Sequence, residues 1–246
     1  MMMNEKMTLE VFPSPEALAG ATFNFIQDLA DQAQQAGHVF RVAFSGGTTP
    51  KRLFSLVEAK AKQGIHILSN AEIFFVDDRW VPEGDKDNNG TMAWNYFKNS
   101  NIAKEHFHAI PTNGKTPEED AGIYQKLLKK FYGKDVLDPK EPLFDLVMLG
   151  LGGDGHTASL FPKNAILQER EAWVGTSQPL DAPHRRVTLT YPAIESAKNV
   201  VFLVEGKAKA EMLARLLEGD TSIPAGCVKT DGELRVMADI EATSAL

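Results

Sequence analysis

The chain has 246 residues, 43% of them hydrophobic, which is enough to bury a full core and fits one α/β domain spanning residues 1–246. A formal charge of −7 leaves no broad basic face for a phosphate backbone, so nucleic acid is not expected as a partner. The single cysteine, Cys227, excludes an internal disulfide framework and a cysteine-based zinc site, and reads as a small core hydrophobe. Asn4, Glu5 and Lys6 interrupt any apolar signal core and no later apolar run has membrane-spanning length, so a cytoplasmic chain without a membrane partner is expected.

In chain order, a short strand at Thr8 to Val11 leads to Ser14 or Pro15, which opens a helical pattern running to about Gly37. Leu18, Phe25, Ile26 and Leu29 fall on one side of it. A strand follows at His38 to Phe44, then a helix from Pro50 to about Lys62 and an apolar strand from Ala71 to Val76. The polar segment PEGDKDNNG leads into a short helix around Trp94, and Pro117 to Phe131 is helical, with Glu118 and Glu119 suited to its first turn. Further strands are expected at Asp145 to Leu149, Trp173 to Thr176, Arg186 to Thr190, Val200 to Val204 and Leu234 to Ala238. A last helix runs from about Lys207 to Leu217, before Gly219.

Nearly wholly apolar strands separated by helices predict a doubly wound, mainly parallel sheet covered on both faces. Ligands of such sheets bind beyond the carboxyl ends of the strands. The segments found there are SGGTTPKR, DDRWVP, GLGGDGHT and, near the end, EGKAK. Chemistry-bearing side chains are bunched where this fold would put a site.

GLGGDGHTASLFP, Gly150 to Pro162, contains G-x-G-x-x-G directly after a strand, the spacing of a dinucleotide cradle. Three features oppose that reading. Asp154 would face an incoming pyrophosphate, Pro162 limits the helix whose amino end would support it, and Glu169 and Glu171 precede the next strand instead of ending it. The loop instead carries Asp154 and His156 separated by one glycine, and a carboxylate beside an imidazole raises its basicity and fixes its tautomer for proton transfer. The plain alternative is a DG turn followed by a capping or core histidine.

SGGTTPKR has Thr49 as an expected N-cap and Pro50 at the first helical position. It is either an ordinary strand-to-helix turn or a phosphate seat built from amides, hydroxyls and a helix amino end. The missing Gly-Lys-Ser/Thr excludes a Walker loop. Lys207 and Lys209 sit where the helix dipole disfavours cations, which leaves them solvated or facing an anion. Arg185 and Arg186 project to opposite faces of a strand, so at most one enters a site. Asp77, Asp78 and Arg79 make either an ion-pair corner or a group in which Arg79 stabilises developing negative charge. His38, His66, His106, His108 and His184 lack metal-ligand spacing and read as structural or surface residues.

Together, AFSGGTTP, FFVDDRWVP, DLVMLGLGGDGHTASLFP, RRVTLTYPAI and EGKAKA, spread from about Val39 to Ala210, resemble the 6-phosphogluconolactonases, within the wider group that includes glucosamine-6-phosphate deaminases and isomerases. The resemblance implies a NagB-like α/β domain, no cofactor, and hydrolysis of a sugar-phosphate lactone, 6-phospho-D-glucono-1,5-lactone, to 6-phosphogluconate in the oxidative pentose phosphate pathway. It makes His156 the group that activates water, with Asp154 as its partner, and Arg79 the contact to the substrate and its oxyanion. Ser45, Gly46, Gly47 and Thr48 become the phosphate loop, with Arg186 and Lys209 holding the phosphate. The sequence departs from the family pattern at DDR, commonly DER, and at Asp87-Asn88-Asn89-Gly90, often DSNY.

Two other readings stand beside this one. An isomerase or deaminase on the same fold is expected to carry a glutamate shortly after DGH, where this chain has Leu160, Phe161 and Pro162. A sugar-phosphate sensor is expected to carry a DNA-binding helix-turn-helix, for which the amino-terminal segment leaves no room.

Overall fold

A computed structural model describes residues 7–246. Strand β1 (Met7–Phe12) enters helix α1 (Pro15–Gln35), whose first turn is capped by the Ser14 side chain accepting from the Ala17 amide at 3.2 Å. Leu18, Phe23, Ile26 and Leu29 form its buried face, and Phe25 lies at the edge, under the Arg235 guanidinium. Then come β2 (Phe40–Phe44), α2 (Thr48–Ala61), β3 (Ala71–Phe75), a short β4 (Asp77–Arg79), α3 (Asn89–Phe97), β5 (Phe107–His108) and α4 (Pro117–Tyr132). The second half supplies β6 (Leu146–Gly150), β7 (Val174–Ser177), β8 (Arg186–Leu189), α5 (Tyr191–Glu195), β9 (Asn199–Val204), α6 (Ala210–Leu217) and β10 (Glu233–Asp239).

Seven strands form one sheet in the order β1-β10-β9-β6-β2-β3-β5, and every pairing in it is parallel. The chain winds outward from β2 through β3 to β5, then returns to β6 and winds the other way through β9 to β10. The order therefore reverses between β2 and β6. At such a switch point the two following loops diverge to opposite faces and leave a crevice.

The expected strands at Trp173 and Arg186 exist but lie outside this sheet. β7 and β8 pair antiparallel, and β8 pairs antiparallel with β4. This three-stranded ribbon sits beside the crevice and is tied to the main sheet where the Leu189 amide donates to the Val76 carbonyl at 2.7 Å. Alternation could not separate the two sheets, because β8 is buried along its whole length like a central strand.

Phe44, Phe54, Phe97 and Phe107 pack edge-on or tilted between β2, α2, α3 and β5, with centroids 4.7 to 6.2 Å apart. Phe44, Phe54 and Phe97 are fully buried, and each contributes about 1.5–3 kcal/mol through its burial. The floor of the crevice therefore rests on close-packed rings. Cys227 is half-buried at the edge of the core, and its thiol donates to the Thr221 carbonyl. Among the described residues no helix is long and apolar enough to cross a membrane.

Candidate active site

The loops after β2 and β6 are fastened where they leave the sheet. Both the amide and the hydroxyl of Ser45 donate to the Met148 carbonyl, at 3.2 and 2.8 Å. Ser45 has therefore spent both of its donors on the scaffold and shapes the loop that follows. Gly46 is next, then Gly47 at φ +105, a left-handed conformation that favours glycine. Gly47 is the N-cap of α2 in place of the expected Thr49, and the helix begins at Thr48, two residues before Pro50. Glycine has no side chain to cap with, so the first amides of α2 receive no side-chain acceptor.

The loop after β6 does not lead into a helix. Leu151 to Asn164 is irregular, and only a 3₁₀ turn, Ala165–Gln168, comes before β7. The amino end that a dinucleotide fingerprint requires is missing, as Pro162 foretold. Hydrogen bonds fold the loop on itself instead: Gly152 N to His156 O at 2.8 Å, Gly155 N to Gly152 O at 3.1 Å, and Thr157 Oγ1 to Gly150 O at 2.8 Å. The chain then passes under the ribbon, where Ser159 Oγ donates to Asp77 Oδ2 at 2.5 Å and Ser177 Oγ donates to the Ser159 carbonyl at 2.7 Å.

This turn sets His156 Nδ1 2.5 Å from Asp154 Oδ1, and the same carboxylate oxygen accepts the His156 amide at 3.1 Å. Burial works against the Asp154 charge, but the His156 amide and imidazole outweigh it and hold the carboxyl below its usual range. An ionised carboxylate only accepts, so Nδ1 carries a proton, and in the neutral ring Nε2 is the nitrogen with the lone pair. The Phe161 ring braces the imidazole, with centroids 4.6 Å apart.

One cavity of about 570 Å³ opens over the switch point, lined by Ser45 to Pro50, Arg79, His156, Arg186 and Lys209, among others. It brings together all the predicted site residues except Asp154, which stands outside the lining and touches His156. Arg186 is buried and donates to the Pro183 and His184 carbonyls, both at 2.8 Å. Burial and then the Arg79 charge pull its guanidinium below the usual value, while Asp77, Asp78 and Asp87 oppose them. Two guanidiniums facing one cavity repel each other, a cost that a bound anion would remove. Lys209 lies at the end of a 3₁₀ turn, Lys207–Lys209, with α6 beginning only at Ala210, and no carboxylate lies within ion-pair distance of it among the described residues. Lys207 is exposed and outside the lining, and Arg185 turns outward to Glu118.

The other histidines lie away from this cavity or at its rim. His38 pairs with Asp145 at 2.9 Å, and His106 and His108 share the Glu72 carboxylate. His184 stands 3.7 Å from Asp87. Among the described residues no group of three or more His, Cys, Asp or Glu side chains is arranged to hold a metal ion.

Three further residues line the cavity that the sequence did not assign to the site. Asp77 lines the cavity, and Ser159, three residues after His156 within GLGGDGHTASLFP, is its partner. Glu205, the first residue of EGKAK, takes Arg52 of α2 at 3.1 Å. Asn89, in the DNNG segment, touches Arg79.

The profile of the family described as glucosamine-6-phosphate isomerases/6-phosphogluconolactonase matches residues 13–236. The chain belongs to this family. A 6-phosphogluconolactonase of Nostoc sp. is 33% identical over 246 residues, which is 98% of this chain and 99% of that protein. 6-phosphogluconolactonase 3, chloroplastic, of Arabidopsis thaliana is 33% identical over 249 residues, covering 98% of this chain and 76% of that one. Among solved structures, 6-phosphogluconolactonase from Trypanosoma cruzi superposes with a TM-score of 0.87 at 28% identity, over 99% of this chain and 98% of that one. That structure thus shares its overall fold with this chain.

Proposed function

We propose that the chain hydrolyses 6-phospho-D-glucono-1,5-lactone to 6-phospho-D-gluconate, the lactonase step of the oxidative pentose phosphate pathway. The observation that carries this reading is the meeting, in one cavity, of an imidazole oriented by a carboxylate with two guanidiniums and a lysine beside an uncapped helix end. The relatives named 6-phosphogluconolactonase support the choice of substrate.

In this reading, the uncapped amides of α2, the Thr48 hydroxyl, Arg186 and Lys209 take the phosphate, leaving the ring to extend toward His156. Nε2 of His156 removes a proton from water as the water oxygen bonds to C1. The carbonyl pair of electrons moves onto oxygen, and Arg79 stabilises that oxyanion. Collapse of the intermediate breaks the C1–ring oxygen bond, and the ring oxygen takes the proton from the imidazolium. The products are an open-chain hydroxyl and a carboxylic acid, which loses its proton to solvent. Asp154 keeps the imidazole in the useful tautomer and stabilises its charged form, and a positioned base of this kind contributes about 10²- to 10⁴-fold.

The isomerase or deaminase reading is weaker because proton shuttling between sugar carbons needs a carboxylate free to exchange protons. The cavity wall after His156 is Ala158, Ser159 and Phe161. Its two lining carboxylates, Asp77 and Glu205, are engaged by Ser159 and Arg52. A side-by-side assay of the purified chain on the lactone and on glucosamine 6-phosphate decides between them. Lactone turnover above the spontaneous rate, with no release of ammonia or formation of ketose from the amino sugar, is expected. The reverse pattern overturns the proposal.

A further inference from the structure

Arg79 lines the cavity beside four aspartates in its own segment, Asp77, Asp78, Asp85 and Asp87, yet no carboxylate lies within ion-pair distance of it among the described residues. Two neutral oxygens hold its guanidinium. Nη1 donates to the Asp87 carbonyl at 3.0 Å and to Asn89 Oδ1 at 3.2 Å. Anchored this way, the group keeps its charge for whatever enters the cavity, whereas a carboxylate anchor would neutralise it.

Asn89 is built for that anchoring. It is 3% exposed, at the first position of α3, with its amide donating to Asp78 Oδ1 at 2.7 Å. Its Nδ2 donates to the Asp77 carbonyl at 3.0 Å. Arg79 only donates and a carbonyl only accepts, so the carboxamide has one orientation. The phosphate loop lies against the same carboxamide: a Cβ added to Gly46 would stand 1.9 Å from Asn89 Oδ1, and the three atoms it would meet first all belong to Asn89. One carboxamide therefore touches the β4 strand, the guanidinium and the loop after β2.

We propose that Asn89 is a positioning residue that fixes Arg79, with no carboxylate partner, against the phosphate loop, so that one bound substrate meets both at once. The effect on turnover rests on the lactonase reading above. Asparagine serves here where aspartate would not, because it accepts from Arg79 without cancelling it and donates to Asp77, which a carboxylate cannot do.

The test is a cycle of Asn89→Ala, Arg79→Ala and the double variant, reading kcat and KM for the lactone and calorimetric affinity for 6-phosphogluconate. Asn89→Ala lowers kcat/KM by on the order of 10- to 100-fold, the loss that follows from a misplaced group, and less than about twofold once Arg79 is already alanine. Gly46→Ala is harmful alone and nearly silent in the Asn89→Ala background. Equal losses with and without Arg79, or wild-type turnover in Asn89→Ala, overturn the proposal. Asn89→Asp keeps the side-chain volume if the alanine variant folds poorly. It raises KM about tenfold by neutralising Arg79, and an unchanged KM overturns the proposal. If the native chain hydrolyses no lactone, the functional reading fails by itself. The calorimetric arm then decides: Asn89→Ala weakens 6-phosphogluconate binding only while Arg79 is present, and equal weakening in both backgrounds counts against positioning.

Discussion

A Cβ placed on Gly152 would stand 2.1 Å from Nδ1 of His156 and 2.7 Å from Oδ1 of Asp154. The glycine is the space in which the imidazole and the carboxylate meet. Gly152→Ala should therefore displace the pair and lower kcat by on the order of 100-fold while circular dichroism still reports a folded chain. Gly153→Ala, whose Cβ meets nothing within 4 Å, should stay within a few-fold of the native rate. Equal kcat values for the two variants would remove the steric argument.

The cationic side of the cavity makes a separate claim about affinity. Lys209→Ala and Arg186→Ala should each raise KM for the lactone by about 10- to 100-fold, the worth of a charge-assisted hydrogen bond, and change kcat less. Arg186 should cost more, since its loss also empties a buried position held by the Pro183 and His184 carbonyls. Steady-state kinetics on both variants checks this, and an unaltered KM for either would take that residue out of the phosphate seat.

Ser45 tests the division between scaffold and ligand contact. Its hydroxyl is committed to Met148, so Ser45→Ala should lower unfolding free energy by about 1 kcal/mol and leave KM within roughly threefold of native. Denaturant melts and kinetics on the same preparation separate the two effects. A large rise in KM at unchanged stability would return Ser45 to the ligand.

Asp78 predicts a pH dependence of stability. Burial pushes its carboxyl up to about 7, against the backbone amides of Asn89, Gly90 and Arg79 that it accepts and together with the neighbouring Asp77 charge. Below its ordinary value of 3.8 the carboxyl is protonated in both folded and unfolded chains. Between there and about 7 the unfolded chain ionises while the folded one retains its proton, so stability falls as pH rises through that window and levels off above it. Asp78→Asn cannot ionise and should show a shallower fall in urea melts between pH 5 and 8. Equal slopes in the two proteins would refute the assignment.

Much of this was legible in the sequence because it rests on local rules. Ser14 caps its helix through its own side chain, and each strand of the main sheet except the two-residue β5, which no apolar run announced, lies within a residue or two of its apolar run. That the site lies beyond the carboxyl ends of the strands followed from which loops carry polar motifs, whereas the reversal between β2 and β6 did not. Asp154 and His156 were legible as a pair because a single glycine separates them. What escaped depends on contacts between distant segments. The ribbon of β4, β7 and β8 has no pattern that separates it from the buried sheet, and the cap of α2 moved to Gly47 because a left-handed residue, not a hydroxyl, ends the preceding turn. Asn89 meets Arg79, Asp77 and Gly46 only after three loops converge, and no spacing in DNNG announces that.

His156 is proposed as the base that activates water. The most direct measurement is lactone turnover by His156→Ala above the spontaneous hydrolysis rate, alongside calorimetric binding of 6-phosphogluconate to the same protein. The expected result is a loss of at least about 100-fold in kcat, the lower end of what a positioned base supplies, with product affinity within a few-fold of native. Native turnover in that variant would contradict it.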